Sequence, residues 1–152
     1  MMVSDYLSEK FCIMDLKAKD KKEAVEEIAE KLSRESKLTD KERFIKDVLE
    51  REELGSTGIG NNVGIPHART DAVKGFVIGF GKSSSGIEFQ ALDGEKVNLV
   101  FLMGADPDEL NLYLRILAEL SKLLMNKSFR EELIAADSEH EVIKIVKKFE
   151  KA

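Results

Sequence analysis

The sequence predicts an α/β fold in which a mixed β-sheet is sandwiched between helical layers. Three observations lead there. Apolar residues recur at helical spacing in five separate segments. Short apolar runs bounded by charge or glycine lie between them and read as strands. One of these, Val97 to Met103, is nearly continuous apolar, as expected of a central strand buried on both faces. The order is a strand, two helices, three or four strands and three helices, with no repeat, linker or low-complexity segment.

Phe11 to Leu16 is bounded by charge and reads as a short strand. Asp20 with Glu23 has capping-box spacing. Val25, Ile28, Ala29 and Leu32 then form the stripe of a first helix running to about Ser36. Thr39 and Glu42 repeat the signal ahead of Phe44, Ile45, Val48 and Leu49, a second helix that should stop at Gly55. Ser56 to Asn62 is loop chemistry. Val63 to Ile65 is a short extended piece, because Ile65 precedes proline and is kept out of the helical region. Phe76 to Phe80 reads as a strand, Gly81 to Gly86 as a flexible turn, Ile87 to Phe89 as another extended piece and Asp93-Gly94 as a tight turn. Asp106-Pro107-Asp108 breaks the chain before a long helix from about Glu109 to Met125. Its Leu110, Leu114, Ile116, Leu117, Leu120, Leu123 and Leu124 cover so wide an arc that much of it should be buried. Asn126 can cap a short helix carrying Phe129, Leu133 and Ile134. Ser138 with Glu141 opens a last helix with Val142, Ile145, Val146 and Phe149 facing inward.

A chain of 152 residues with 43% hydrophobic content is read as one domain, residues 1–152. A net charge of −5 argues against a nucleic-acid surface, whose affinity comes from basic patches. The single cysteine, Cys12, allows no internal disulfide and reads as a buried structural thiol. Met1 to Glu9 lacks the features of a signal peptide. The longest apolar run, Leu99 to Ala105, falls far short of the roughly 20 residues of a membrane helix. A cytoplasmic protein without membrane insertion is expected.

The most informative stretch runs from Arg51 to Ala68: R-E-E-L-G-S-T-G-I-G-N-N-V-G-I-P-H-A. Its glycines invite a nucleotide reading, and the spacing excludes it. Gly58-Ile59-Gly60 is followed by Gly64, one residue late for a dinucleotide fingerprint, and no helix follows. Gly75 and Gly81-Lys82-Ser83 resemble a phosphate loop, but five residues separate the glycines where four are required. His67, His140, Cys12 and scattered carboxylates show no metal-ligand spacing. His140 falls in the first turn of the last helix, exposed and without a role. Ser56 and Ser85 lie outside any nucleophile-elbow pattern.

His67 stands apart. Pro66 fixes the backbone before it, and Val63-Gly64-Ile65 delivers it to the end of a strand. The Gly55 to Asn62 loop offers backbone N–H groups and hydroxyls that could form an anion site. Arg51 adds a permanent charge with bidentate geometry for phosphate. A neutral imidazole beside such donors is a sound phosphoryl acceptor. The alternative is a loop histidine that merely caps a turn, and composition alone leaves both open.

These residues resemble the type-2 enzyme IIA domain, of the fructose/mannitol class, of the phosphoenolpyruvate-dependent sugar phosphotransferase system. The resemblance rests on Arg51-Glu52, Leu54 to Asn61 and Ile65-Pro66-His67-Ala68. Ser4 to Leu16 with the Lys22 to Leu32 helix looks like the stand-alone nitrogen-type regulatory members. It implies that His67 accepts a phosphoryl group at Nε2 from a histidine-containing phosphocarrier protein. His67 would then pass it to an enzyme IIB or hold it as a signal for a regulatory target. It implies Arg51 as the charge stabiliser, with Ser56, Thr57, Gly58, Gly60 and Asn61 as a secondary phosphate cradle and no metal or cofactor. Three departures stand out: Gly64 where the family usually has alanine, Asn62 where it has glycine, and Tyr113 where it has a second histidine. A tyrosine hydroxyl can donate to phosphate but cannot carry positive charge. Sugar transport, nitrogen regulation, and a domain of this fold that binds partners without onward transfer are the roles so implied.

Overall fold

The strand that reads as buried on both faces is the axis of the molecule. The computed structural model describes residues 2–151. In it β6 (Val97–Ala105) pairs antiparallel with β5 (Phe76–Ile87) along one edge. Its other edge holds β3 (Val63–Gly64) and then β4 (His67–Arg69), both parallel. The outer strands are β1 (Cys12–Ile13), parallel on β5, and β2 (Gly58–Gly60), antiparallel on β3. Helices α1 (Lys21–Leu32) and α2 (Lys41–Glu53) pack on β5 and β4. Helices α3 (Leu110–Leu124), α4 (Lys127–Ala135) and α5 (Glu139–Glu150) pack against β6, one another and β1. The mixed sheet between helical layers is as expected.

The caps show why the helices start where they do. Asp20, Asn126 and Ser138 accept from backbone N–H groups of the first turn, as their sequence positions predict. At α2 the cap is Asp40 and not Thr39, which instead gives its N–H and its hydroxyl to the Ala72 carbonyl. Helix α1 ends at Leu32, short of Ser36, and the Ser33 hydroxyl donates to the Glu30 carbonyl.

The strands depart further from expectation. Phe11 belongs to a 3-10 turn (Glu9–Phe11), so β1 is only two residues long. Gly81 to Gly86 is no flexible turn but part of one twelve-residue strand, its register shifting between Lys82 and Ile87. Its glycines serve close approach: a Cβ on Gly79 would meet Ile28 Cγ2 at 2.7 Å, and one on Gly81 would meet Leu16 at 2.8 Å. The Ser56 to Asn62 segment contains β2, joined to β3 by Asn61 and Asn62, both left-handed (φ 56° and 64°). Two such residues between antiparallel strands match a hairpin turn that favours asparagine and glycine. On α3, Leu110 and Leu114 face out, as does Ile134 on α4.

Gly64 has a packing partner. A Cβ there would stand 2.9 Å from the Phe89 ring, so the phenyl group occupies the space an alanine methyl would take. Gly64→Ala should therefore destabilise the fold by about 1–3 kcal/mol, as overpacking does. On a Phe89→Leu background the same substitution should cost less, a coupling that urea denaturation of the four proteins of the cycle would measure.

Candidate functional site

His67 opens β4, opposite Met103 of β6, and does not end a strand as expected. Between β3 and β4 the pairing is interrupted for two residues. Pro66 has no N–H to offer, while its carbonyl accepts from the Met103 N–H at 3.0 Å. The Ile65 N–H turns away to the Thr57 carbonyl, also at 3.0 Å. Strand alternation then sets Ala68 into the core and leaves His67 half-buried and Arg69 exposed on the opposite side.

The imidazole is held in one tautomer. His67 Nδ1 lies 2.6 Å from the Ile65 carbonyl oxygen. A carbonyl can only accept, so Nδ1 carries the ring proton and Nε2 keeps its lone pair. Burial holds the His67 pKa below the ordinary imidazole value, opposed by the bond to Ile65; the Arg51 charge lowers it further and Glu52 opposes. The ring is thus neutral near pH 7, as a nucleophile must be.

Around it lies a cavity of about 850 Å³, whose walls include His67, Arg51, Arg69, Arg43, Tyr113, Leu54 and Leu110. Tyr113 stands edge-on to His67, ring centroids 5.7 Å apart and planes at 62°. Burial raises its pKa, against the charges of Arg51 and Arg69, so the phenol stays protonated at neutral pH. Arg51, in the last turn of α2, gives Nη1 to the Gly55 carbonyl at 3.1 Å. Among the described residues neither Arg51 nor Arg69 takes part in an ion pair. Arg43 differs, being tied to Asp47 at 3.2 Å and Asp71 at 3.3 Å.

Of the expected residues, the structure brings His67, Arg51 and Tyr113 together. Ser56, Thr57, Gly58, Gly60 and Asn61 do not line this cavity. The Ser56 hydroxyl donates to the Phe89 carbonyl and accepts from the Gly58 N–H. Thr57 gives its N–H and its hydroxyl to the Glu52 carboxylate. Gly60 and Asn61 lead into the β2–β3 hairpin turn.

The sequence reading missed two residues. Arg69 carried a signal, since a strand through His67 places the residue two further on along the same side. Glu52 stands in the motif with Arg51 but gave no sign of burial: in Arg51-Glu52-Glu53 it looks like part of a solvated face, yet its side chain is only 3% exposed and pairs with Lys21 at 3.0 Å. Among the described residues no three His, Cys, Asp or Glu side chains converge as a metal site. No helix among them is long and apolar enough to cross a membrane.

Comparison with known proteins bears on this geometry. A family model described as "Phosphoenolpyruvate-dependent sugar phosphotransferase system, EIIA 2" matches residues 5–149. The chain is 34% identical over 151 residues to the PTS system fructose-specific EIIABC component of Bacillus subtilis (strain 168). That alignment covers 99% of this chain and 24% of the relative, so the chain spans about a quarter of that protein's length. The crystal structure of nitrogen regulatory protein IIA-Ntr from Neisseria meningitidis superposes with a TM-score of 0.88 at 32% identity, covering 95% of this chain and 98% of that one. The enzyme IIA of mannitol from Escherichia coli, solved in complex with phosphorylated enzyme IIB, shares the fold, with a TM-score of 0.77 at 23% identity over 92% of this chain and 95% of that one.

The electrostatics give a direct prediction. An NMR titration of the His67 ring should have its midpoint below 6.5, and Arg51→Gln should raise it by removing a charge that opposes protonation. Above the unfolded value the contribution of His67 to stability is complete. It is lost as pH falls through the lower folded value, because the unfolded chain then binds the proton first.

Proposed function

The chain belongs to the EIIA type-2 family of the phosphoenolpyruvate-dependent sugar phosphotransferase system, and on that premise we propose that His67 is its phosphoryl acceptor. Membership makes it an EIIA component, a protein of phosphotransfer or of regulation. The observation that carries the finer reading is the Nδ1–H bond to Ile65, which leaves Nε2 unprotonated on a ring that shares its cavity with Arg51 and Arg69. The donor is a histidine-containing phosphocarrier protein. The Nε2 lone pair forms the new P–N bond while the donor's P–N bond breaks and leaves its electron pair on the donor ring. The Nδ1 proton stays at the Ile65 carbonyl, which shares the positive charge developing on the imidazole. Arg51 meets the phosphoryl oxygens by leaving the Gly55 carbonyl, and Arg69 adds a second charge from the strand. Phosphoryl transfer asks little of a protein beyond such positioning and electrostatics. Ser56, Thr57, Gly58, Gly60 and Asn61 act at one remove, by shaping the backbone that presents His67. The acceptor works in the cytoplasm, as one domain, without metal or cofactor.

A second role for the same site is supported by Tyr113. The relative from Neisseria meningitidis is named a nitrogen regulatory protein, and Tyr113 puts a neutral phenol where a second charge could speed departure of phosphate. The phosphorylated state would then act as a signal, its added charge of about −1.5 to −2 read by a regulatory target. Onward transfer to an enzyme IIB, as in the mannitol pair, is the alternative fate.

Incubation with phosphoenolpyruvate, the system's first enzyme and the phosphocarrier should yield an acid-labile phosphoryl adduct in intact mass spectra, absent from His67→Ala. No adduct on the wild type beside an active carrier would sink the reading. Arg51→Gln should slow formation by about 10²–10³-fold, the usual loss of one preorganised charge contact. Tyr113→His should speed discharge to an enzyme IIB by about tenfold or more, as a positioned proton donor does. An unchanged discharge rate would remove Tyr113 from the account of signal retention.

A further inference from the structure

The geometry points to Glu52 as a positioning residue for phosphoryl transfer, acting through Thr57 and Ile65 on the tautomer of His67. This rests on His67 being the acceptor. Glu52 follows Arg51 in the last turn of α2, but it points inward and its carboxylate is closed off from water. Three donors converge on it. The Thr57 N–H reaches Oε1 at 3.0 Å, the Thr57 hydroxyl reaches Oε2, and Lys21 Nζ at the start of α1 reaches Oε1 at 3.0 Å. The Lys21 ammonium also sits over the Phe89 ring, 5.1 Å from its centroid. A buried carboxylate with this many charge-assisted bonds has one favourable position.

From there the connection to the site is continuous. The Thr57 carbonyl accepts from the Ile65 N–H at 3.0 Å, and the Ile65 carbonyl accepts from His67 Nδ1 at 2.6 Å. Glu52 thus holds Thr57, the Thr57 carbonyl holds Ile65, and the Ile65 carbonyl holds the ring proton. Adjacency does the rest: a carboxylate pinned inward sets the rotation of the last turn of α2, about 100° per residue, and so aims Arg51 at the cavity. The Glu52 charge also reaches His67 through space, favouring a protonated ring where Arg51 disfavours it. One carboxylate therefore coordinates both groups that meet the phosphate and touches neither the phosphate nor the imidazole.

The experiment compares wild type, Glu52→Gln, and the pair Lys21→Met with Glu52→Gln. The pair removes both charges together, so folding does not depend on a stranded ammonium. Each protein, first checked for a native cooperative unfolding transition, is read in two ways. Nitrogen-15 imidazole spectra of the unphosphorylated proteins report the tautomer. Wild type should show His67 with its proton on Nδ1, and both Gln-bearing proteins should gain the Nε2–H form. Phosphorylation by the carrier should slow by about tenfold or more in these proteins, given that misplacement of about 1 Å can cost about a hundredfold.

A folded pair variant with the wild-type tautomer and rate overturns the assignment. So does a slowed rate with an unchanged tautomer, because the carboxylate would then act by some other route. The spectra need no phosphoryl donor. If the wild type never takes up phosphate, the reading of His67 as acceptor falls, while the tautomer data still decide what Glu52 holds in place.

Discussion

The bond between His67 Nδ1 and the carbonyl two residues before it is the constraint on which the site depends. It decides which nitrogen carries the proton, and hence which one can attack. It is possible only because Pro66 sets the backbone between donor and acceptor, and because the Ile65 peptide is itself held by Thr57. Burial then keeps the ring neutral, while the Arg51 charge discourages its protonation. The sheet's role is to make this local arrangement rigid. The Met103 N–H pins the Pro66 carbonyl from the neighbouring strand, so the turn cannot drift.

Much of this was legible in the residues. Asp20, Asn126 and Ser138 announced helix starts, and the unbroken apolar run from Val97 announced the central strand. Pro66-His67 with Arg51 upstream marked the candidate site, and His67 and Arg51 share one cavity. What stayed hidden depends on distance in space. Glycines at 79 and 81 look like breakers, yet they are the places where Leu16 and α1 press closest to the sheet. Thr39 looks like a cap until the Ala72 carbonyl, more than thirty residues away, claims its hydroxyl. Leu110 and Leu114 look like core, but α3 turns them outward, Leu110 onto the cavity wall. The donors of Ser56 to Asn61 were visible; their commitment to Glu52, Phe89 and a hairpin turn was not.

The arginines around His67 differ in their pairing. Arg43 is locked between two aspartates, one of which also accepts the Thr70 hydroxyl. Arg51 and Arg69 carry no such partner among the described residues and can reorient. A site built this way responds to an arriving anion without breaking an ion pair, which keeps the response fast and its energetic cost small. The Phe89 ring contributes from behind, filling the hollow at Gly64 and lying under the Lys21 ammonium, so the charged network and the hydrophobic packing share one side chain.

The breadth of the cavity carries a temporal consequence. At about 850 Å³ it is far roomier than a phosphoryl group needs, and among the described residues no segment closes over it. A phosphorylated imidazole held there would face bulk water on every side not lined by protein. A partner seated on the rim would shield it, so the lifetime of such a mark would depend on whether this surface is covered.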